Sequence, residues 1–432
     1  MHTTLRRGAA LMFASLALAA AAAPPEQTAT AVLDRLQAGD AQAAEALFTP
    51  ELAQAAPAAT LQALWQSFGE PRGRGAARVT AHQGMQVVVQ PLQFATGTVD
   101  AQVAVDAAGR VAGLIFRPAA TPAAPAPDVP AGAGYREQPL EIPTTRGSLP
   151  GTLAMPAGTG PFRAVVLVHG SGPQDRDETI GANRPFLDVA RGLAAQGIAV
   201  LRYDKRTHAR PQDFSGTDYT VDDETTDDAV AAIAALAATA GIDPRHLYVM
   251  GHSQGGMLAP RIASHSGKVA GVVLWSAPAR SLLTLLPEQN RYLLGLDGQI
   301  SANEQAFLDK LDAQIAAARG TAPTAAADLP LGQPARYWQS FEAIDPVADA
   351  RALAQPILLL QGGRDFQVVD TDWQLWRRGL ARQRAVTFRD YPALNHLGIA
   401  GEGPGSPKEY TRPGHVAAPL IDDVARWIGA QP

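Results

Sequence analysis

The 432-residue sequence predicts an α/β protein: a mostly parallel sheet wrapped by helices, carrying an inserted helical lid and preceded by a small α+β unit. Three observations carry that expectation. From residue 135 onward, continuous apolar runs alternate with helix-patterned stretches. A Pro/Ala-rich segment separates this region from what precedes it. Before that segment, the apolar pattern changes from helical spacing to a period of two.

Composition narrows the function. The formal charge is −5 with no basic patch, which argues against a nucleic-acid partner. The chain has no cysteine, so disulfides, thiolate metal sites and a cysteine nucleophile are excluded. Its 40 glycines and 34 prolines stay below the share that marks low-complexity disorder. Aromatic residues make up only 6%, so the core must come from runs of Val, Ile and Leu.

Residues 1–23 open with Arg6 and Arg7, continue through an apolar stretch from Ala9 to Leu18, and end in small residues that offer A-x-A cleavage sites. This predicts a cleaved secretory signal peptide, too short to remain as a membrane anchor. Without cysteine the mature chain is not a lipoprotein, and it is expected to be periplasmic or secreted. Cleavage would remove two arginines and no acid. No later segment is long and apolar enough to form a membrane span.

Residues 24–117 read as an accessory α+β unit. Leu61, Leu64, Trp65 and Phe68 follow helix spacing, then Val79, Val87–Val89, Val99, Val103, Val105, Val111, Leu114 and Phe116 outline an antiparallel meander. Its lone His82 belongs to no titratable cluster, and the partner of this unit is unknown. Residues 118–134 form a Pro/Ala-rich linker of extended character.

Residues 135–432 read as a second, larger unit. Glu137–Ile142 and Thr152–Met155 predict two opening strands. The runs Ala164–Val168, Ala199–Tyr203, Leu247–Met250, Val269–Trp275, Pro356–Leu360 and Ala385–Tyr391 predict six more. Unbroken apolar runs signify strands covered on both faces. Helical patterns lie over Pro185–Gln196, Asp222–Ala240, Gln254–Ser266, Asp370–Ala381 and Val416–Ile428. Residues of about 278–350 carry helical segments only and read as a lid over the carboxyl ends of the strands, where open α/β sheets bind ligands. Its Leu282, Leu283, Leu285, Leu286, Leu293, Leu294 and Leu296 read chiefly as lid-to-body packing. An acyl-binding wall is the functional alternative, with Trp338 and Phe341 as weaker members.

The chemistry is concentrated at Gly251-His252-Ser253-Gln254-Gly255, a G-x-S-x-G between a strand and a helix. The turn brings residues two before and two after the serine together, so Gly251 and Gly255 must lack side chains. A serine hydroxyl needs a base to become a nucleophile. His2 leaves with the leader, His82 lies in the other unit and His246 begins a strand at the wrong end. His396 follows the last strand at the carboxyl edge. Asp365, at the end of the preceding strand, supplies the orienting carboxylate. Asp370 and Asp372 are back-up acids that read as helix caps. Oxyanion donors are the backbone of Gln254 and of the loop His169–Pro173, with Ser171 as the choice and Gly170 or Gly172 as alternatives. The charged segments Gln174–Glu178 and Tyr203–Arg206, with His252 and His208, read as residues that pair with one another and fix loops, with substrate contact as the alternative.

These stretches resemble bacterial α/β-hydrolase esterases of the EstD-like group. The likeness rests on Leu149–Leu153, His169–Glu178, Leu201–Arg206, the Ser253 elbow, Asp365 and Asn395-His396, and it spans the chain from about Tyr135 onward. It implies hydrolysis of small-molecule carboxylic esters, usually of short acyl chains, with no metal and no organic cofactor. The accessory unit resembles a domain of unknown function found ahead of such hydrolases. A related exopeptidase branch shares the scaffold; that reading needs an acid in the lid, such as Glu288 or Glu304, to hold a substrate amine. A non-catalytic binding protein on the same fold is the reading from another class.

Overall fold

The structure is a computed structural model that describes residues 23–82, 85–94, 97–118, 126–214 and 218–432. The leader expected over residues 1–23 lies, apart from Ala23, outside the described residues, as does the stretch 119–125 of the expected linker. The chain divides into two compact units at residues 124 and 125.

In the first unit, α1 (Pro25–Gln37), α2 (Ala41–Glu45), α3 (Pro50–Ala55) and α4 (Ala58–Ser67) precede β1 (Pro71–Arg74), β2 (Arg78–His82), β3 (Met85–Phe94), β4 (Gly97–Val105) and β5 (Val111–Pro118). All five strands pair antiparallel. Along β3, Val88, Leu92 and Phe94 turn inward and meet Val32, Leu33, Leu36, Leu61 and Trp65 of the helices. One face of the sheet is thereby buried, as a period of two requires. The strand β1 is an addition to the expected meander. Its sequence, Pro71-Arg72-Gly73-Arg74, has no apolar alternation to betray it, and it is held by pairing with the edge of β3.

The second unit contains an eight-stranded sheet. Its strands are β6 (Tyr135–Ile142), β7 (Leu149–Pro156), β8 (Phe162–Val168), β9 (Ala199–Tyr203), β10 (Ile242–His252), β11 (Val269–Trp275), β12 (Ile357–Gly362) and β13 (Val386–Tyr391), in the order β13-β12-β11-β10-β8-β9-β7-β6. From β9 to β13 the neighbours are parallel, whereas β6 and β7 join antiparallel. The unbroken apolar runs have a direct cause. In β8, Val165 and Leu167 face the layer containing α5 (Pro185–Ala195) and α14 (Ala418–Gly429), while Ala164, Val166 and Val168 face the opposite layer. Between β9 and β10 lie the short α6 (Arg206–Ala209) and α7 (Asp227–Ala237), and α7 packs in that opposite layer with α8 (Gln254–Ser266) and α13 (Asp370–Gly379).

The inserted lid holds α9 (Leu282–Leu294), α10 (Ala302–Arg319), α11 (Ala335–Glu342) and α12 (Pro346–Ala352). Leu282 and Leu283 are buried in the main core, together with Trp338 and Phe341, and Leu285 is also buried. Leu296, by contrast, is 47% exposed. Packing therefore accounts for Trp338 and Phe341, and neither lines an open wall. No helix among the described residues is long and apolar enough to cross a membrane.

Because the central strands are parallel, the segments that follow β8, β10, β12 and β13 collect on one edge. Ser253, Gln254, Asp365, His396 and Ser171 are all on those segments.

Candidate active site

The strand β10 runs directly into α8 through Ser253, whose backbone is held at φ 52° and ψ −120°. A non-glycine residue reaches this region only where its surroundings impose it. Ser253 N–H donates to the Trp275 carbonyl at 2.9 Å, which ties the turn to the end of β11. A Cβ on Gly251 would overlap the Gly255 carbonyl, and one on Gly255 would overlap the Val168 carbonyl. Glycine at these two positions is thus a steric necessity of the elbow. Gln254 begins α8, so its N–H belongs to the helix end that lacks an internal acceptor and carries partial positive charge.

Asp365 and His396 meet on the same edge. His396 Nδ1 lies 2.7 Å from Asp365 Oδ2, and both side chains are buried. The other carboxylate oxygen accepts the Gln367 N–H at 2.8 Å and the Val368 N–H at 2.9 Å. An acceptor with this many donors is fixed in rotamer. The loop bearing His396 lies close over Gly362 and Gly363, where a Cβ would strike the Leu394, Asn395 or Pro392 backbone. Asn395 Oδ1 accepts the Leu397 and Ile399 N–H groups, closing the turn around the histidine. The hydrogen bonds of the described residues include none between Ser253 Oγ and His396. A general base must come within about 3 Å of the oxygen whose proton it takes, and such bonds often tighten only in the substrate complex.

The loop after β8 is pinned at Gly170. Its N–H donates to Glu178 Oε1 at 2.6 Å and its carbonyl accepts from Lys205 Nζ at 2.9 Å. A Cβ on Gly170 would lie 3.2 Å from the Cβ of Ser253, so this loop passes beside the nucleophile position. With its N–H engaged, Gly170 drops out as an oxyanion donor, leaving Ser171 and Gly172.

Two buried carboxylates hold this arrangement, and only one of them lies in a segment the sequence singled out. Glu178, at φ 51° and fully buried, sits 2.9 Å from His252 Nδ1, and His252 Nε2 lies 2.9 Å from the His396 carbonyl. Nε2 donates to that carbonyl, while the Glu178 carboxylate faces Nδ1 as a close contact, not an aligned hydrogen bond, and favours a positive charge on the ring. Burial works against that charge, but the adjacent Glu178 outweighs it and raises the His252 pKa. In return, although burial opposes it, His252 brings the Glu178 carboxyl below its ordinary range. The second carboxylate, Glu224, pairs with Lys205 at 3.0 Å and accepts from Gln254 Nε2 at 2.8 Å and from the Tyr337 hydroxyl at 3.2 Å. The sequence signal for Glu178 was its place in a charged loop. Glu224 had none: in Asp222-Asp223-Glu224 it resembles any acidic helix start.

Other singled-out residues have structural partners. Arg176 forks onto Asp204 at 2.9 and 2.8 Å, and buried Arg202 bridges Asp177 and Glu137. Buried Arg206 pairs with Asp228 at 2.6 Å and with Asp213 at 2.8 Å. His208 is exposed on α6, and His246 lies between Asp243 and the Pro432 carbonyl. His169 is buried against Phe186 and Tyr203, and burial lowers its pKa to about 4. Asp372 is no helix cap. Its carboxylate leaves α13 to accept the Ala279 and Arg280 N–H groups, anchoring the start of the lid. The lid acids are engaged as well: Glu288 is forked by Arg280, and Glu304 completes the capping box of α10 with Ser301. No group of three or more potential metal-ligating acids and histidines occurs among the described residues.

A strand–serine–helix elbow on a mostly parallel sheet, with an acid–histidine pair on the same edge, defines an α/β hydrolase. The profile of the alpha/beta hydrolase family matches residues 165–412. Esterase EstD from Thermotoga maritima is 40% identical over 339 residues, covering 78% of each chain. Among solved structures, the Pyrococcus furiosus esterase matches 72% of this chain and 96% of its own at 18% identity, with a TM-score of 0.47. A hyperthermophilic esterase from Pyrobaculum calidifontis matches 68% of this chain and 82% of its own at 18% identity, with a TM-score of 0.44. The chain belongs to the alpha/beta hydrolase family and, within it, to the EstD-like esterases.

Proposed function

We propose that the protein hydrolyses short-chain carboxylic esters through a Ser253–His396–Asp365 triad and a covalent acyl-enzyme. The observation that carries this reading is the buried 2.7 Å pair of Asp365 and His396 on the edge where Ser253 is held in its strained turn. Ser253 Oγ attacks the ester carbonyl as His396 Nε2 takes its proton. Asp365 accepts from Nδ1, so the tautomer with a basic Nε2 is the one present. The tetrahedral oxyanion is received by the N–H groups of Gln254 and Ser171. The alcohol departs with the proton from His396. Water activated by the same histidine then releases the acid and restores Ser253.

Amide turnover by an exopeptidase route is disfavoured by the engagement of Glu288 and Glu304 in lid structure. The test is steady-state hydrolysis of a p-nitrophenyl ester series run beside aminoacyl amides. The acetate and butyrate esters are expected to be the better substrates. Ser253→Ala should lower kcat on the acetate by roughly five to six orders of magnitude with the thermal midpoint retained. Ester hydrolysis surviving in that variant, or faster amide turnover by the parent, would overturn the reading.

A further inference from the structure

Glu224 stands at a junction that the ester-hydrolysis reading does not use. It lies in a single turn of π-helix, Asp222–Thr226, ahead of α7, a local irregularity that recurs at functional sites. Its side chain and that of its partner Lys205 are nearly inaccessible, at 6% and 2% exposure. Isolated burial of either charge would be costly, and the pair persists because each member is further hydrogen-bonded. Those further bonds lead to two places of significance. Lys205 Nζ holds the Gly170 carbonyl, and Glu224 Oε2 holds the side chain of Gln254.

The consequence follows from peptide geometry. The Gly170–Ser171 bond is trans, so the Ser171 N–H points opposite to the Gly170 carbonyl in one rigid plane. Lys205 draws that carbonyl toward the buried pair and so directs the Ser171 N–H away from it. Gln254, anchored through its amide, carries the other donor on its backbone. One ion pair therefore bears on both residues whose N–H groups the proposed oxyanion site needs. A hydrogen-bond donor is effective there only if it is held in place before charge develops.

The same carboxylate also receives the lid. Tyr337 of α11 is buried with its hydroxyl on Glu224 Oε2, and burial beside Glu224 pushes its pKa well up, so it remains a donor.

We propose that Lys205 and Glu224 are positioning residues for the oxyanion site, and that Tyr337 links the lid to that site through the Glu224 carboxylate. The inference rests on the ester-hydrolysis reading above. The experiment compares parent, Ser253→Ala, Glu224→Gln and Tyr337→Phe in full-length protein. It measures kcat and KM on p-nitrophenyl acetate, inhibition by a short-chain alkyl trifluoromethyl ketone, and thermal midpoints. The ketone forms a hemiketal with the serine, so its oxyanion samples the same donors. Glu224→Gln is expected to lower kcat about 100-fold, in the range for loss of an oxyanion donor, and Tyr337→Phe about tenfold. KM should stay within about twofold, and ketone affinity should fall by the same factors as kcat. If Glu224→Gln fails to fold, Tyr337→Phe, which leaves the ion pair intact, decides the matter. Parental kcat in the folded variants, or a fall in kcat with unchanged ketone affinity, overturns the inference while the ester reading stands. An inert parent, or activity retained by Ser253→Ala, removes both.

Discussion

Asp365 and His396 approach to 2.7 Å, Glu178 and His252 to 2.9 Å, and all four side chains are buried within reach of the same elbow. The two pairs nevertheless leave their imidazoles in different settings. His396 presents Nδ1 to its carboxylate, and no hydrogen bond among the described residues occupies its Nε2. That leaves a nitrogen able to accept a proton. His252 has its Nε2 engaged by the His396 carbonyl and the buried Glu178 carboxylate beside Nδ1, which favours a charge on the ring. A carboxylate beside a histidine thus does not by itself make a base. What the other nitrogen meets decides whether the ring has a free site to carry a proton.

Neutralising the two acids separates these roles. Asp365→Asn should lower kcat on p-nitrophenyl acetate by about 10⁴-fold, because the amide favours the tautomer whose Nε2 already holds a proton. A loss under tenfold in steady-state kinetics would transfer the orienting role to another acid.

Glu178→Gln keeps an acceptor for the Gly170 N–H but leaves His252 without its counter-charge. Breaking a buried pair in this way should cost about 3–5 kcal/mol, read from urea denaturation at pH 6. The pH window follows from the two shifts. Glu178 is lowered, so its contribution is present above about pH 4.5 and is lost as pH falls through its folded pKa. His252 is raised, so its contribution is complete below about pH 6.5 and is lost as pH rises through its folded pKa. The difference between parent and variant should therefore peak between these limits. A difference that grows into alkaline pH would refute a charged His252.

His169 completes the contrast as a histidine buried against aromatic rings and kept neutral. Its pKa of about 4 lies below the unfolded value, so the unfolded chain binds the extra proton first, and stability falls as pH drops from about 6.5 to 4. That sensitivity should amount to about 3 kcal/mol. His169→Phe, which retains the packing on Phe186 and Tyr203, should flatten the acid limb by this amount. Parallel acid limbs for parent and variant would show that the ring is already charged.

What was legible in the sequence is what depends on neighbours along the chain. Unbroken apolar runs mark strands covered on both sides, as Val165 and Val166 illustrate by facing opposite layers. The elbow is legible because its constraint is steric and local: Gly251 and Gly255 must be bare where the chain doubles back on itself. The Asp365–His396 meeting could be anticipated because parallel strands deliver their carboxyl ends to one edge. The short strand β1 escaped notice because its edge pairing is long-range and its residues carry no alternation.

The sequence by itself determined the α/β class, the order of elements and the turn that strains Ser253. Only the tertiary structure decided which charges pair. Glu178 with His252 and Lys205 with Glu224 are matched across folded distance, and the acid Asp372, which reads locally as a helix cap, instead holds the Ala279–Arg280 backbone. The reason is physical: backbone preferences and apolar periodicity are written in adjacent residues, whereas the energy of a buried charge depends on the partner that the completed fold brings to it.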